Sequence, residues 1–297
     1  MNIQDIRVRD PYIVLWNDVY YLYNSKNPLV PETVEVRRSR DLCNWDEPTT
    51  VYTLDTSTWK KAELWAPEIH VYHGKFYMFL TILGKNGLRG TEISVADTPE
   101  GPFLPIADRP ATPLDQSAID GTLFVEDGIP YIVYSRDWPH CFDAGMEAYV
   151  GEIRAQALSN DLTTPIGEDF CLFRSCDCPT SAAAPTRVDW EDLHGYRYGS
   201  DAPFVMRLPG GKLLLTWSPI PGGNYVVLCA VSDSLRSPWK HVDKPLYDRH
   251  GGHAMFFTDR DGKLKMALHG PEIAEKERTL IFDITLTEDG AAITGEK

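Results

Sequence analysis

Three aspartates and one histidine open apolar segments that are spread along the whole chain. Asp10, Asp120 and Asp201 begin DPYIVLW, DGTLFV and DAPFVM, His253 begins HAMFF, and Ala66 takes the same place in APEIHV. Clustered carboxylates suit glycoside hydrolysis, in which one carboxylate accepts a proton from the attacking water while a carboxylic acid protonates the leaving oxygen. A third carboxylate can keep that acid protonated by like-charge repulsion. This chemistry requires a fold that brings the three aspartates together.

The five segments share one plan, which is an apolar run, a polar turn and a second apolar run. They are DPYIVLWNDVYYLYNS, APEIHVYHGKFYMFLT, DGTLFVEDGIPYIVYS, DAPFVMRLPGGKLLLTWS and HAMFFTDRDGKLKMALH. The turn dipeptides are Asn17-Asp18, His73-Gly74, Asp127-Gly128, Gly210-Gly211 and Asp261-Gly262. Such dipeptides adopt the positive φ angles of tight hairpins, and the flanking runs are rich in the β-branched and aromatic residues of strands. The repeated unit is therefore a β-hairpin.

The spacing of these hairpins predicts an all-β protein, a five-bladed β-propeller that forms a single catalytic domain over residues 1–297. A period of about 50 residues with several strands per repeat is typical of four-stranded propeller blades. EVRRSRDL (35–42), EISVAD (92–97) and CAVSDS (229–234) are predicted as third strands. In a propeller the first strand of each blade lines the central channel. The residues that open the five segments are therefore expected to meet at one end of that channel.

The third repeat is followed by a long stretch without clear periodicity. Residues 156–199, which include SCDCPTSAAAPTRVDWEDLHGYRYG, carry proline, alanine and polar residues. We expect an extended insertion loop on one face, and because long loops are often functional, we expect it to form a lid over the ligand. Cys171, Cys176 and Cys178 lie here, but their spacing lacks the paired C-x-x-C of a zinc site and predicts free thiols.

The composition favours a neutral ligand. The formal net charge is −14 for 297 residues, which argues against nucleic acid or an anionic membrane as partner, because both are bound by basic patches. The first residues, MNIQDIRVRDPYIVLW, lack the pattern of an export signal, and no apolar run is long enough to span a membrane. We therefore expect a cytoplasmic protein that acts on a small neutral oligosaccharide, in an oligomeric state that the composition does not specify.

Five segments resemble the signature segments of glycoside hydrolase family 43, in that family's order and over essentially the whole chain. They are RDPYI (9–13), WAPEIH (65–70), AIDGTLF (118–124), SDAPF (200–204) and GGHAMFF (251–257). The resemblance implies a five-bladed propeller that hydrolyses arabinofuranosides, β-xylosides or sometimes galactosides with inversion of configuration. It also implies that Asp10 is the general base, that Asp120 orients the acid and modulates its pKa, and that Asp201 is the general acid.

The surroundings of Asp201 depart from the pattern of that family. The family has glutamate before a Gly-Pro pair, whereas this chain reads SDAP from residue 200. An aspartate is one methylene shorter, and a displacement of its carboxyl by about 1.5 Å can cost roughly a hundredfold in rate. Asp201 is kept as the predicted acid, and Glu68 or Asp137 is the alternative proton donor.

Further residues of the same segments are predicted to bind substrate. Trp65 can stack on a sugar ring, and Glu68 can hydrogen-bond the substrate or pair with Arg9, since it lies two residues beyond the position that faces the channel. Asp137 and Trp138 end the inner hairpin of the third unit and are expected to border the site.

His253 shares the register of the aspartates and is therefore predicted to bind a water-coordinated metal ion or to act as a hydrogen-bond donor inside the channel. No cofactor is required for the hydrolysis itself. The predicted ion is therefore a structural one, a calcium near His253. His269, by contrast, is interpreted as a solvated surface residue.

Two rival functions stay open beside hydrolysis. A non-catalytic carbohydrate-binding propeller is favoured by the altered motif at Asp201. A phosphorolytic propeller enzyme would need basic residues at the channel to hold phosphate. The preferred prediction is exo-acting hydrolysis of a terminal α-L-arabinofuranoside or β-D-xyloside, because a cytoplasmic enzyme meets small imported oligosaccharides.

Overall fold

The protein is built from β-strands, with short 3-10 turns as its only helical segments in the described range. A computed structural model describes residues 1–25, 32–190, 192–220, 222 and 224–296. Within these residues the helical turns are Ile3–Asp5, Trp138–His140, Ser175–Asp177 and Ser181–Ala183. None of them is long enough to cross a membrane. The all-β class predicted from the hairpins is confirmed.

Five four-stranded antiparallel sheets contain the five predicted hairpins as their first two strands. The first sheet contains β1 (Arg9–Trp16), β2 (Val19–Ser25), β3 (Thr33–Ser39) and β4 (Thr49–Thr53). The second contains β5 (Lys60–Tyr72), β6 (Lys75–Gly84), β7 (Arg89–Ala96) and β8 (Leu104–Pro105). The third contains β9 (Ala118–Glu126), β10 (Ile129–Arg136), β13 (Glu152–Leu158) and β14 (Pro165–Arg174).

The remaining sheets follow the same plan, with one addition. The fourth contains β17 (Asp201–Arg207), β18 (Leu213–Ser218), β19 (Leu228–Ser232) and β20 (Lys240–His241). The fifth contains β21 (Gly252–Thr258), β22 (Leu264–Gly270), β23 (Arg278–Thr287) and β24 (Gly290–Glu296). A small sixth sheet contains β11 (Phe142–Asp143), β12 (Ala148–Val150), β16 (Leu193–Tyr198) and β15 (Thr186–Trp190), in that spatial order. The three segments predicted as third strands are confirmed as β3, β7 and β19.

The insertion is more regular than the sequence predicted. The irregular loop expected over residues 156–199 contains the end of β13, all of β14, and β15 and β16 of the sixth sheet. The prediction of an irregular loop was therefore wrong. These strands carry polar residues on both faces and are largely exposed or only partly buried. Strands on the surface do not show the alternation of apolar and polar residues by which half-buried strands are recognised.

All five sheets carry the same irregularity in the first strand, near its start in four sheets and in the middle of the longer β5. The pairing of first and second strands shifts there by one residue. The extra residue has a positive φ: 51° at Asp10, 47° at Ala66, 55° at Asp120, 52° at Ala202 and 58° at His253. This is a β-bulge, which bends the strand and re-aims its side chains. A positive φ costs energy in a residue other than glycine, so the surrounding structure must hold each bulge in place.

The backbone N–H of each bulge residue donates to a side chain of the preceding sheet. Ala66 N donates to Ser25 Oγ at 2.6 Å, and Asp120 N donates to Thr81 Oγ1 at 2.9 Å. The other three donations are Ala202 N to Asp120 Oδ2 at 2.9 Å, His253 N to Ser218 Oγ at 3.0 Å and Asp10 N to His269 Nδ1 at 3.1 Å. The fifth sheet is thereby bonded back to the first. His269 is fully buried, so its interpretation as a surface residue was wrong.

Apolar side chains fill the space between neighbouring sheets. One cluster joins the first, second and fifth sheets through residues such as Leu22, Met78 and Ala267. Another joins the third and fourth sheets through Val133 and Trp217. The first strands also contact one another in sequence, with β1 against β5, β5 against β9, β9 against β17, β17 against β21 and β21 against β1. The five bulges therefore face a common centre.

A buried ion pair within the second sheet is bonded to the first sheet through Tyr52 of β4. Lys60 Nζ lies 2.7 Å from Glu92 Oε2, with side-chain exposures of only 3% and 1%. Tyr52 Oη and Ser94 Oγ donate to the other carboxylate oxygen at 2.7 Å and 2.9 Å. Because both charges are out of reach of water, losing one partner leaves the other uncompensated.

Candidate active site

The bulged ends of the first strands open into a cavity of about 710 Å³. Seven of the predicted site residues line it, namely Asp10, Trp65, Asp120, Asp137, Trp138, Asp201 and His253. The structure therefore brings together the three aspartates from three different sheets. Glu68 is the exception, because it does not line this cavity.

Asp10 is a buried carboxylate surrounded by cations and donors. Ser25 Oγ donates to its Oδ2 at 2.7 Å, and His253 Nδ1 lies 3.0 Å from its Oδ1. Burial would raise the pKa of Asp10, but His253 and Arg9 hold that pKa well below its usual range. Asp10 is therefore ionised at neutral pH, as a proton acceptor must be.

Asp120 stands beside the strand that carries Asp201. Its Oδ2 accepts the N–H of Ala202 at 2.9 Å, so its carboxylate fixes the backbone next to Asp201. Burial raises the pKa of Asp120 above its usual range, and the neighbouring Asp10 and Glu68 add to that effect, while His253 opposes it.

Asp201 has the most strongly raised pKa of the three aspartates. Burial, together with the negative charges of Asp120 and Asp137, raises the pKa of Asp201 to about 8. A carboxyl with this pKa is mostly protonated at neutral pH. One cavity therefore contains both an ionised carboxylate and a carboxylic acid, which is the pair of groups that acid–base catalysis uses.

The register predicted for Asp201 was wrong by one residue. The bulge residue of the fourth sheet is Ala202, and Asp201 precedes it, as Arg9 precedes Asp10 and Trp65 precedes Ala66. Asp201 still lines the cavity, since the end of each first strand turns towards it.

His253 is held against Asp10, with its Nδ1 3.0 Å from Asp10 Oδ1. Burial lowers the pKa of His253, but Asp10 and Asp120 outweigh that effect and raise it to about 9. No group of three or more His, Cys, Asp or Glu side chains in the described part of the chain is arranged to hold a metal ion. The calcium near His253 stays a prediction. All six cysteines, including Cys171, Cys176 and Cys178, are free.

Arg89 connects two of the predicted binding residues. Its guanidinium lies 4.2 Å from the ring centre of Trp65, and its Nη1 lies 3.1 Å from Asp137 Oδ2. Its Nε also lies 2.8 Å from Glu63 Oε2. Burial raises the pKa of Asp137, and Arg89 opposes that rise. Arg89 stands in no recognisable motif, and sequence reasoning missed it.

Glu68, predicted to bind substrate, does not line the cavity. It is buried, and its Oε2 lies 3.0 Å from His70 Nε2. Arg9, its suggested partner, binds Glu272 instead at 2.8 Å. Strand alternation predicted that Glu68 would face the channel, because it lies two residues beyond Ala66. Alternation does not hold across the β-bulge at Ala66, which re-aims the side chains that follow it.

The sixth sheet contributes cavity residues that the sequence did not predict. Trp190 and Arg197 line the cavity beside Trp138. The Arg197 guanidinium lies 4.6 Å from the ring centre of Trp138 and 5.6 Å from that of Trp190. Tyr225, from the fourth repeat, is buried against His269 and also lines the cavity. Each comes from a segment outside the five hairpins, so the repeat carried no signal for them.

The chain matches the family model described as glycosyl hydrolases family 43 over residues 3–292. It is 26% identical over 275 residues to an extracellular exo-α-(1→5)-L-arabinofuranosidase of Streptomyces avermitilis, across 86% of this chain and 52% of that protein. It is 30% identical over 200 residues to a β-xylosidase of Xylanibacter ruminicola, across 64% of this chain and 59% of that protein. The chain thus spans little more than half the length of these two relatives.

Solved structures cover the chain almost completely. An endo-arabinase from Bacteroides thetaiotaomicron superposes with a TM-score of 0.85 at 31% identity, over 98% of both chains. A thermostable family-43 glycoside hydrolase superposes with a TM-score of 0.80 at 24% identity, over 97% of this chain and 93% of the other.

Proposed function

The chain belongs to the glycosyl hydrolases family 43, and from this membership we propose that it hydrolyses a neutral glycoside of the α-L-arabinofuranoside or β-D-xyloside type. The observation that carries the proposal is the meeting of Asp10, Asp120 and Asp201 in one cavity with opposite shifts in the pKa of Asp10 and Asp201. The names of the relatives, which include arabinofuranosidase, xylosidase and endo-arabinase, support this substrate class.

In the proposed reaction Asp10 is the general base and Asp201 the general acid. The Asp10 carboxylate takes a proton from a water molecule, whose oxygen forms a bond to the anomeric carbon. Asp201 gives its proton to the glycosidic oxygen as the bond from that oxygen to the anomeric carbon breaks. Water attacks from the face opposite the leaving group, so the configuration is inverted. Asp120 keeps Asp201 protonated by its charge and holds the Asp201 backbone through the bond to Ala202.

We also propose that the five sheets are the blades of a single five-bladed propeller domain. The circular sequence of contacts among the first strands supports this closure, as does the bond from Asp10 N to His269. The exo mode of action rests on the sequence alone and is part of the proposal.

The two rival functions make different demands on the cavity. A phosphorolytic enzyme needs a group of cations that are free to bind phosphate. Of the four arginines that line the cavity, Arg7, Arg9 and Arg89 pair with carboxylates and only Arg197 does not, within the described residues. A carbohydrate-binding protein does not need an ionised and a protonated carboxyl in the same cavity. Both observations favour hydrolysis.

A panel of nitrophenyl glycosides tests the proposal. We expect release of nitrophenol from the arabinofuranoside, the xyloside or both, independent of added phosphate, and loss of nearly all turnover in Asp10→Asn. Binding of sugars without turnover on the whole panel would establish the carbohydrate-binding alternative, and a rate proportional to phosphate would establish the phosphorolytic one.

A further inference from the structure

The sixth sheet has one face that reaches the cavity. Residues paired across neighbouring strands present their side chains on the same face of a sheet. Phe142 pairs with Tyr149, and Tyr149 pairs with Arg197, so these three side chains share the face that carries Arg197 to the cavity. Trp190 lies on this face too, because Thr186 pairs with Arg197 and Trp190 is four residues further along β15.

Aromatic rings form a continuous row along this face. The ring centres of Trp138 and Trp190 are 5.3 Å apart, those of Trp138 and Tyr149 are 6.2 Å apart, and those of Tyr149 and Phe142 are 5.1 Å apart. The row begins at the cavity wall with Trp190 and ends at Phe142, which does not line the cavity.

Both ends of the row are open to solvent. Trp190 is 51% exposed and Phe142 is 58% exposed, and Trp190 is the one exposed tryptophan among the described residues. Large rings left in water at the edge of a ligand cavity mark a surface that a partner covers. The continuity of the row with the cavity identifies that partner as part of the same ligand.

Arg197 supplies polar donors to this surface. The other cavity arginines are neutralised by carboxylates, as Arg9 is by Glu272 and Arg89 is by Glu63. Arg197 stacks on two tryptophans and has no ion pair with a carboxylate within the described ranges. Its N–H groups are therefore available to neutral acceptors such as sugar hydroxyls.

The position of Arg197 shows which side of the scissile bond this surface serves. Arg197 lies in β16, four residues before Asp201 at the start of β17, and both side chains line the cavity. Asp201 is the proposed donor of a proton to the leaving oxygen, so sugars bound beside Arg197 belong to the leaving group.

We propose that this face of the sixth sheet binds the leaving-group part of a neutral oligosaccharide, with its first sugar on Trp190 and Arg197 and a further sugar on Phe142. The inference rests on the proposed hydrolase function and specifies its substrate as a saccharide chain rather than a small terminal glycoside. Flat aromatic rings bind the apolar faces of sugars, and the guanidinium binds their hydroxyl groups.

The test compares three alanine variants on chains of increasing length. Trp190→Ala and Phe142→Ala alter the proposed surface, and Tyr196→Ala is the matched control, because Tyr196 is 53% exposed and next to Arg197 but on the opposite face. The substrates are α-(1→5)-arabino-oligosaccharides and β-(1→4)-xylo-oligosaccharides with two to five sugars, and the measured quantity is kcat/KM.

We expect Trp190→Ala to lower kcat/KM on every oligosaccharide by about tenfold, which corresponds to the loss of one good contact. Phe142→Ala should lower it by a similar factor only on substrates with two or more leaving sugars, and Tyr196→Ala should leave the whole series unchanged. The proposal is overturned if the Trp190 and Phe142 variants follow the Tyr196 variant at every chain length.

Calorimetric binding separates this inference from the proposed function. Arabinopentaose and xylopentaose are titrated into Asp10→Asn, alone and combined with Phe142→Ala or Tyr196→Ala. Suppose the pentasaccharides bind more weakly when Phe142→Ala is added to Asp10→Asn but not when Tyr196→Ala is added. This result supports the proposed surface even if the unmodified protein hydrolyses nothing, in which case the proposed function fails. Hydrolysis by the unmodified protein with equal pentasaccharide binding by all three variants removes the surface and leaves the function intact.

Discussion

Asp120→Asn is the sharpest test of how the site keeps Asp201 protonated. The substitution removes one negative charge and keeps an oxygen that can accept the N–H of Ala202, a bond of 2.9 Å in the structure. Since Asp120 is the largest charge effect on the raised pKa of Asp201 after burial, its loss must lower that pKa. The acid then loses its proton at a lower pH than in the unmodified protein.

The size of the change follows from the geometry. Asp120 accepts the N–H that directly follows Asp201, which makes the two carboxyl groups near neighbours. Two unit charges roughly 6 Å apart interact by about 3 kcal/mol at an effective dielectric constant near 20. That energy corresponds to roughly two pKa units. A general acid works below its pKa, so activity declines as pH rises through it. The alkaline limb of kcat/KM is expected near pH 8 in the unmodified protein, and about two units lower in the variant.

The assay is the pH dependence of kcat/KM on the best nitrophenyl glycoside of the panel. Asp137→Asn is the matched control, because Asp137 is a weaker cause of the raised pKa of Asp201 and is expected to produce a smaller shift in the same direction. Titration of the aspartate carboxyl carbons by ¹³C NMR, assigned with Asp201→Asn, gives the pKa even where turnover is slow. An alkaline limb and a carboxyl titration that both stay in place in Asp120→Asn would refute the reasoning.

Three further predictions concern stability, measured by denaturant unfolding. Lys60→Met is expected to lower the free energy of unfolding by about 3–5 kcal/mol, because it leaves Glu92 as an uncompensated buried charge. Adding Glu92→Leu to this variant should recover much of the lost stability, and a double variant without such recovery would contradict the explanation. Ser218→Ala removes the acceptor of the His253 N–H and should cost about 1–3 kcal/mol; an unchanged unfolding midpoint would show that the bond contributes nothing. Gly121→Ala brings a methyl group within 2.6 Å of Thr91 Oγ1 and 2.8 Å of an Ile132 methyl, and should lower the free energy of unfolding by about 1–3 kcal/mol. Gly199 has open space around it, so Gly199→Ala is the control and should change the free energy of unfolding by no more than about 0.5 kcal/mol.

The sequence predicted those features that depend on local backbone chemistry. Asn17-Asp18 and Asp127-Gly128 identified their hairpins because two consecutive positive φ angles favour such residues, and the structure has 49° and 59° at the first pair and 51° and 80° at the second. Hairpins repeated in this way predicted in turn that Asp10 and Asp120 would meet.

Features that depend on packing between sheets were missed or misplaced. Asp201 was aligned by its residue type, although Pro203 follows Ala202 as Pro11 follows Asp10, which gives the register seen in the structure. Arg197 lies on a polar surface strand that leaves no periodic pattern, and only the pairing of β12 with β16 carries it to the cavity.

The closing bond from Asp10 N to His269 has a consequence for how accurately the reacting groups are held. In an open row of sheets, small variations in each packing angle would add up between the first sheet and the fourth, and the distance between the proposed base Asp10 and the proposed acid Asp201 would fluctuate more. Joining the fifth sheet to the first provides a second, independent route between them, along which the same distance is fixed again. The distance between the two carboxyls is then restrained both through the second and third sheets and through the fifth sheet. If the contact between two sheets on one of these routes is weakened, the other route still restrains the distance.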